Sequence, residues 1–177
     1  TVSFLGTGIS ATSDASGNFT LSNLPSGSLV FDINTSTAGP APNGASYGGF
    51  REEVSLIAGV NNVIDRPFFL PRIAANSITP VNPNFFTTVT NPTLGITLTV
   101  PPGTAKNPDG SNFTGELSIS EVPRNLTPAA LPDFLDPGLI ITIQPVGVTF
   151  SIPVPITFPN IDNLPPGTET DIWSLNA

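Results

Sequence analysis

The side chains able to do chemistry are few. The 177-residue chain has no Cys, His or Met. That removes the commonest metal ligands, the commonest general base and the best nucleophile together. What remains is oxygen. Asn107, Asp109, Ser111 and Asn112 crowd one polar turn; Asp14, Ser16 and Asn18 crowd another. Calcium takes about six to eight oxygens, normally with two or more carboxylates. Each turn offers a single carboxylate, so an Asx-stabilised β-turn is the expected use, with Asp109, Asn107 and Asp14 as the calcium candidates. Glu52 and Glu53 are adjacent on an expected strand and so point to opposite faces. Asp133 and Asp136 sit in a Pro-rich connector. Carboxylate-pair hydrolysis needs two acids facing one cleft, and nothing in the pattern marks one. A Lys–Asn crosslink needs a buried strand lysine beside an acid, and Lys106 is expected in a polar turn. The reading therefore names no catalytic residue, no metal and no cofactor, and it expects a protein that is not an enzyme.

Composition narrows the partners. Net charge is -8, from 13 acidic and 5 basic residues, and the basic ones are scattered at Arg51, Arg66, Arg72, Lys106 and Arg124. Without a basic patch to neutralise phosphates, nucleic acid is not an expected partner. No apolar run approaches the roughly 20 residues that span a bilayer as a helix, so membrane insertion is not expected. Thr1 opens directly on a strand, and the expectation is a mature chain or one cut from something longer. Hydrophobic residues make up 38% and charged residues 10%, enough for a core and too apolar for disorder. With 21 Pro and 16 Gly, many short strands and turns are expected, hence an all-β fold.

The elements follow from alternation and punctuation. Strands are expected at Thr1 to Leu5, Ile9 to Ser13, Phe19 to Ser22 and Leu29 to Ile33. Leu29, Phe31 and Ile33 face inward there. The 35–49 loop, rich in small residues, surrounds the only tyrosine, Tyr47. Further strands are expected at Phe50 to Ile57 and Asn62 to Leu70, with Asp65 and Arg66 as a surface ion pair. Prolines and asparagines over 71–84 read as a boundary. Beyond it, Ile96, Leu98 and Val100 alternate in one strand, and Leu117 and Ile119 in another. One helical turn is expected near Ala129 to Leu131. Gly138 to Asn160 has no charged residue and prolines at 145, 153, 155 and 159. It reads as a strand at Leu139 to Ile143, a corner at Pro145 to Gly147, and a second strand from Val148 to Phe158. Pro153 and Pro155 place that last strand at a sheet edge or a bulge. Asp171 to Leu175 reads as a final strand, with Trp173 a buried anchor.

Two stretches carry a resemblance. Asp14, Gly17, Phe19, Leu21, Leu24, Pro25 and Gly27, followed by an alternating strand, resemble the carboxypeptidase regulatory-like domain, a transthyretin-like β-sandwich. Members usually carry one more strand ahead of the Thr1 to Leu5 equivalent, which implies an open first strand here. Pro101, Pro102, Gly103, Gln144, Pro145, Gly147, Phe150, Pro153, Val154, Ile156, Pro159 and Asn160 resemble a ZU5-type β-sandwich module, as found in large bacterial surface proteins. Some ZU5 members cleave themselves at His-Phe-Ser. Phe150-Ser151 is present here, but Thr149 stands where the His would be, so self-cleavage is not expected.

The resemblances imply two consecutive β-sandwich-like domains, 1–72 and 85–177, with a linker at 73–84. They imply an extracellular, cell-surface setting. The leading expectation is a non-catalytic structural module, a subunit of a filament, sheath or layer joined by self-association or by neighbouring domains. Its interface candidates are Thr1, Val2, Phe4, Ile172 and Trp173. The alternative is an adhesion module binding carbohydrate or protein, with Tyr47 and Trp173 as ligand candidates and Phe85-Phe86 as further aromatics. Exposure of two or three such rings in a row would favour binding, and their burial would favour the structural reading.

Overall fold

A computed structural model of the chain describes residues 1–64, 66–127 and 131–174. Among these residues the fold is all-β, with five small antiparallel sheets, four 3-10 turns and no α-helix. No helix is long and apolar enough to cross a membrane.

The first sheet orders β2 (Ser10–Ala11), β1 (Val2–Phe4), β3 (Gly27–Ile33) and β5 (Phe50–Leu56). A two-stranded ribbon pairs β4 (Ser46–Tyr47) with β6 (Arg72–Ile73). The third sheet orders β12 (Ile141–Gln144), β11 (Glu116–Glu121) and β7 (Ile78–Pro80). The fourth orders β14 (Ile156–Thr157), β9 (Ile96–Val100) and β8 (Thr87–Asn91), and a last pair joins β10 (Ala105–Lys106) to β13 (Thr149–Phe150).

Alternation places the side chains. On β3, Phe31 and Ile33 are buried and Leu29 packs against the same cluster, while Val30 faces out. Phe31 is the hub: its ring lies 5.5 Å from Phe4, 5.5 Å from Phe19 and 4.8 Å from Phe68. Phe68 in turn lies 5.0 Å from Phe50. A second cluster gathers Val89, Ile96, Leu98, Val100, Leu117 and Ile119, all essentially inaccessible. Val148, Phe150, Val154, Ile156 and Phe158 pack against it, the inward parity expected for that run.

Several expected strands are not strands. Residues 19–22 form no ladder, yet Phe19, Leu21 and Leu24 pack on the first cluster. Asn23 turns the chain at φ +61° and Pro25 has no N–H to give. Residues 62–64 and 66–70 likewise form no ladder, although Phe68 and Leu70 point inward. Pro67 interrupts the donors there. The long 148–158 strand is broken into β13 and β14 by a bend at Ser151 and Ile152, which leaves Ile152 52% exposed. The 73–84 stretch expected as linker contains β7, which pairs with β11. Lys106, expected in a turn, lies on β10 and donates from Nζ to Asn112 Oδ1 at 2.7 Å. Residues 171–174 are exposed and carry no strand. Leu175, the Asp65 partner expected for Arg66, and Ala129 and Ala130 of the expected helical turn lie outside the described residues. Arg66 pairs with Glu52 and stands 5.4 Å over the Phe68 ring.

The most consequential correction concerns β1. It pairs with β3 on one side and β2 on the other, so it is an inner strand and not an open edge.

Phe31 is wholly buried at the centre of the ring cluster. Phe31→Ala is expected to lose about 3–5 kcal/mol, read as a lowered midpoint in chemical denaturation, whereas Ile152→Ser should stay within about 0.5 kcal/mol.

Candidate functional site

A buried side chain, Gln144, ties the segments that carry the two clusters. Gln144 ends β12 and is 2% exposed. Its Oε1 accepts from Gly49 N at 3.0 Å, and its Nε2 donates to Gly49 O at 3.2 Å and to Thr142 Oγ1 at 3.1 Å. Both backbone groups of one residue are thus satisfied by one amide, as a buried amide requires. The approach depends on glycine. A Cβ on Gly48 would come within 2.8 Å of Gln144 Cδ and of Pro71 Cγ, and one on Gly49 within 3.0 Å of Val146 Cγ2. Gly48 N also donates to Pro71 O at 2.8 Å. Close by, Arg51 Nε donates to Asp32 Oδ1 at 2.5 Å, as their directly opposed places on β5 and β3 allow. The Arg51 guanidinium lies where a side chain at Gly147 would stand.

This joint shapes a cleft. Tyr47 of β4 and Arg72 of β6 are directly opposed, so their side chains share one face. Thr35 Oγ1 donates to Tyr47 O at 2.7 Å and holds that strand. Ser120 Oγ donates to Arg72 O at 3.1 Å, which brings the end of β11 against the ribbon. Glu121 follows. Tyr47, Phe69, Leu70, Arg72, Glu121 and Pro123 enclose a cleft of about 410 Å³. A larger depression of about 650 Å³ is lined by Arg124, Asn125, Thr127, Leu131, Pro132, Asp133 and Leu135. Asp136 pairs with Arg124, so it does not stand as a free second acid beside Asp133.

The oxygen-rich turns are self-contained. Asp14 Oδ1 accepts from Ser16 N at 2.8 Å and Asn18 N at 2.9 Å. Asp109 Oδ1 accepts from Ser111 Oγ at 2.6 Å and Ser111 N at 2.9 Å. Asn107 Nδ2 donates to Ser111 Oγ at 3.0 Å and Asn112 O at 3.2 Å. The Asn18 backbone N–H holds the Asp14 carboxyl below its ordinary value of 3.8, and the Ser111 hydroxyl does the same for Asp109. These oxygens are taken up by the turn's own donors.

The other expected residues scatter. Val2 and Phe4 are buried in the first cluster. Thr1 O accepts from Asn34 N at 2.9 Å. Ile172 and Trp173 are exposed, Trp173 at 60%, and Trp173 stands edge-on to Phe134 at 6.0 Å. The expected buried anchor is thus on the surface, because no strand forms at 171–174 to carry it inward. Phe85 and Phe86 are 68% and 70% exposed. Tyr47 lines the cleft; Trp173 does not. Sequence reasoning missed Gly48, Gly49, Arg72 and Glu121. The signal available was a lone amide, Gln144, inside an uncharged apolar run, since a buried amide must find partners.

No family model, no curated protein and no solved structure matches the chain.

Two outcomes are expected. Gln144→Ala strands the N–H and C=O of Gly49 and should cost about 1–3 kcal/mol, with the two clusters unfolding in separate steps by denaturant titration. For the turns, a depressed folded pKa means that the ionised carboxylate supports the fold above the unfolded pKa. That support is lost as pH falls through the folded value. Carboxyl-carbon NMR should therefore place Asp14 and Asp109 below 3.8, and Ser111→Ala should raise Asp109 while leaving Asp14 unchanged.

Proposed function

We propose that this chain is a non-catalytic, extracellular structural module, built as two sandwich-like units and used in a cell-surface filament, sheath or layer. The observation that carries the reading is the joint. Gln144 bonds both ways to Gly49, and the glycine contacts around it leave no slack. Two cores tied by a buried bond suit a part that sets spacing in an assembly. Low charge and the two family resemblances support the extracellular setting.

The route of assembly differs from the one expected from sequence. With β2 seated beside β1, strand donation to the first strand is not the contact. β5 is the longest edge strand, but its Arg51, Glu52 and Glu53 are charges of the kind that blunt edge pairing. Exposed apolar side chains offer other contacts, among them the rings of Phe85 with Phe86 at one turn, and Trp173, beside Ile172, with Phe134 at another surface. Burying an aromatic side chain contributes about 1.5–3 kcal/mol, against the freedom lost on association, so these rings are the contacts proposed between copies or neighbouring domains.

Sedimentation velocity across a concentration series, with electron microscopy of the same samples, tests this. The expected result is association that grows with concentration and repeating assemblies, both weakened at least about tenfold in Phe85→Ser/Phe86→Ser. One monomeric species up to about 0.5 mM would overturn the filament reading.

The alternative, an adhesion module, is favoured by the Tyr47 cleft and by the exposed rings of Phe85, Phe86 and Trp173.

A further inference from the structure

We infer that the cleft between β4, β6 and the end of β11 is a binding site for a neutral pyranose unit of a polysaccharide. Its lining supplies the parts that recognition of a sugar ring needs. A pyranose has apolar C–H faces and a rim of hydroxyls. Tyr47 and Phe69 bring two aromatic rings to the cleft, and such rings take C–H faces while their polar tips stay wet. Arg72 brings a fork of N–H donors, Glu121 an acceptor pair, and the Tyr47 hydroxyl both capacities. Neighbouring hydroxyls on a sugar can donate to a carboxylate and accept from a guanidinium in one plane.

The polar groups are unspent. Among the described residues, no hydrogen bond or ion pair engages the Tyr47 hydroxyl, the Arg72 guanidinium or the Glu121 carboxylate. Elsewhere the arginines Arg51, Arg66 and Arg124 each pair with a carboxylate. Arg72 and Glu121 line one cleft and yet do not close on each other. The cleft thus holds an unpaired donor, an unpaired acceptor and aromatic rings in one lining. The Tyr47–Arg72 register, the Ser120 bond to Arg72 O and the Gln144 joint fix three segments that are distant in sequence.

Size and charge narrow the ligand. At about 410 Å³ the cleft falls within the roughly 300–1,000 Å³ of small-molecule sites, and the seam between two packed units is a usual place for one. One cation and one anion cancel locally. The chain carries a net charge of -8, which opposes uronic acids and other anionic sugars. A neutral ring remains, reached from the open side of the cleft as one unit of a longer chain. This inference does not depend on self-association.

The test uses cellohexaose, mannohexaose, xylohexaose and hexagalacturonic acid as probes. Saturation-transfer NMR screens each against the full chain, and isothermal titration calorimetry follows any hit. The expected result is saturable binding of at least one neutral hexaose and none of hexagalacturonic acid. Tyr47→Ala should weaken that binding at least about tenfold, and the surface changes Glu121→Gln and Arg72→Gln at least about fivefold each, with unchanged thermal midpoints for the latter two. No saturation transfer from any neutral hexaose at 10 mM would overturn the assignment. So would binding that survives both Glu121→Gln and Arg72→Gln, or binding confined to hexagalacturonic acid.

Discussion

One carboxamide holds two cores in register. Gln144 is carried by a sheet of the second cluster, and its partner Gly49 leads into the last strand of the first sheet. An amide has one acceptor and one donor side, and so does a peptide unit; the two match without charge or water. The cost of leaving such groups buried and unpaired exceeds what the bond contributes when made. The joint therefore behaves as a constraint on the backbone around it. Glycine at 48 and 49 is one consequence. The ribbon of β4 and β6 lies beside the joint, with Gly48 N donating to Pro71 O, and Tyr47 and Arg72 of that ribbon line the cleft.

Proline sets the second constraint. Outside the seven-pair ladder of β3 with β5, prolines withhold N–H donors and interrupt the ladders. The chain there forms short strands and buries the rest of its apolar side chains from irregular backbone. Phe19 and Phe68 show this. Both rings pack on Phe31, and both come from segments without a ladder partner. Alternation along a chain reports which side chains turn inward. It does not report whether the backbone beside them finds a partner.

That distinction explains what was legible. The inward faces of β3, β9 and β11 follow from apolar residues at every second position, as does that of β5 save at Glu52, which pairs with Arg66. The corner at 145–147 follows from Pro and Gly. Phe19 to Ser22 and Asn62 to Leu70 have the same alternation but no ladder, and there the parity survived while the strand did not. Trp173 misled for a related reason: a large aromatic predicts burial only if an element delivers it. The site was the least legible part. Gln144 bonds to a residue 95 positions away, and no local pattern encodes such a pairing. Tyr47 stood out as a lone tyrosine, but Arg72 and Glu121 acquire meaning only when β6 lies against β11.

The connection between β6 and β7 has an entropic side. β6 ends at Ile73 in the ribbon of the first cluster, and β7 begins at Ile78 on the sheet of the second. Four residues lie between them, a reach of roughly 14 Å when pulled straight. So short a tether keeps the ribbon and the β7–β11 sheet within reach of each other in every conformation of the chain. Little loop-closure entropy is then lost when the two come together, and the long-range Gln144 bond forms between partners that the backbone has already brought near.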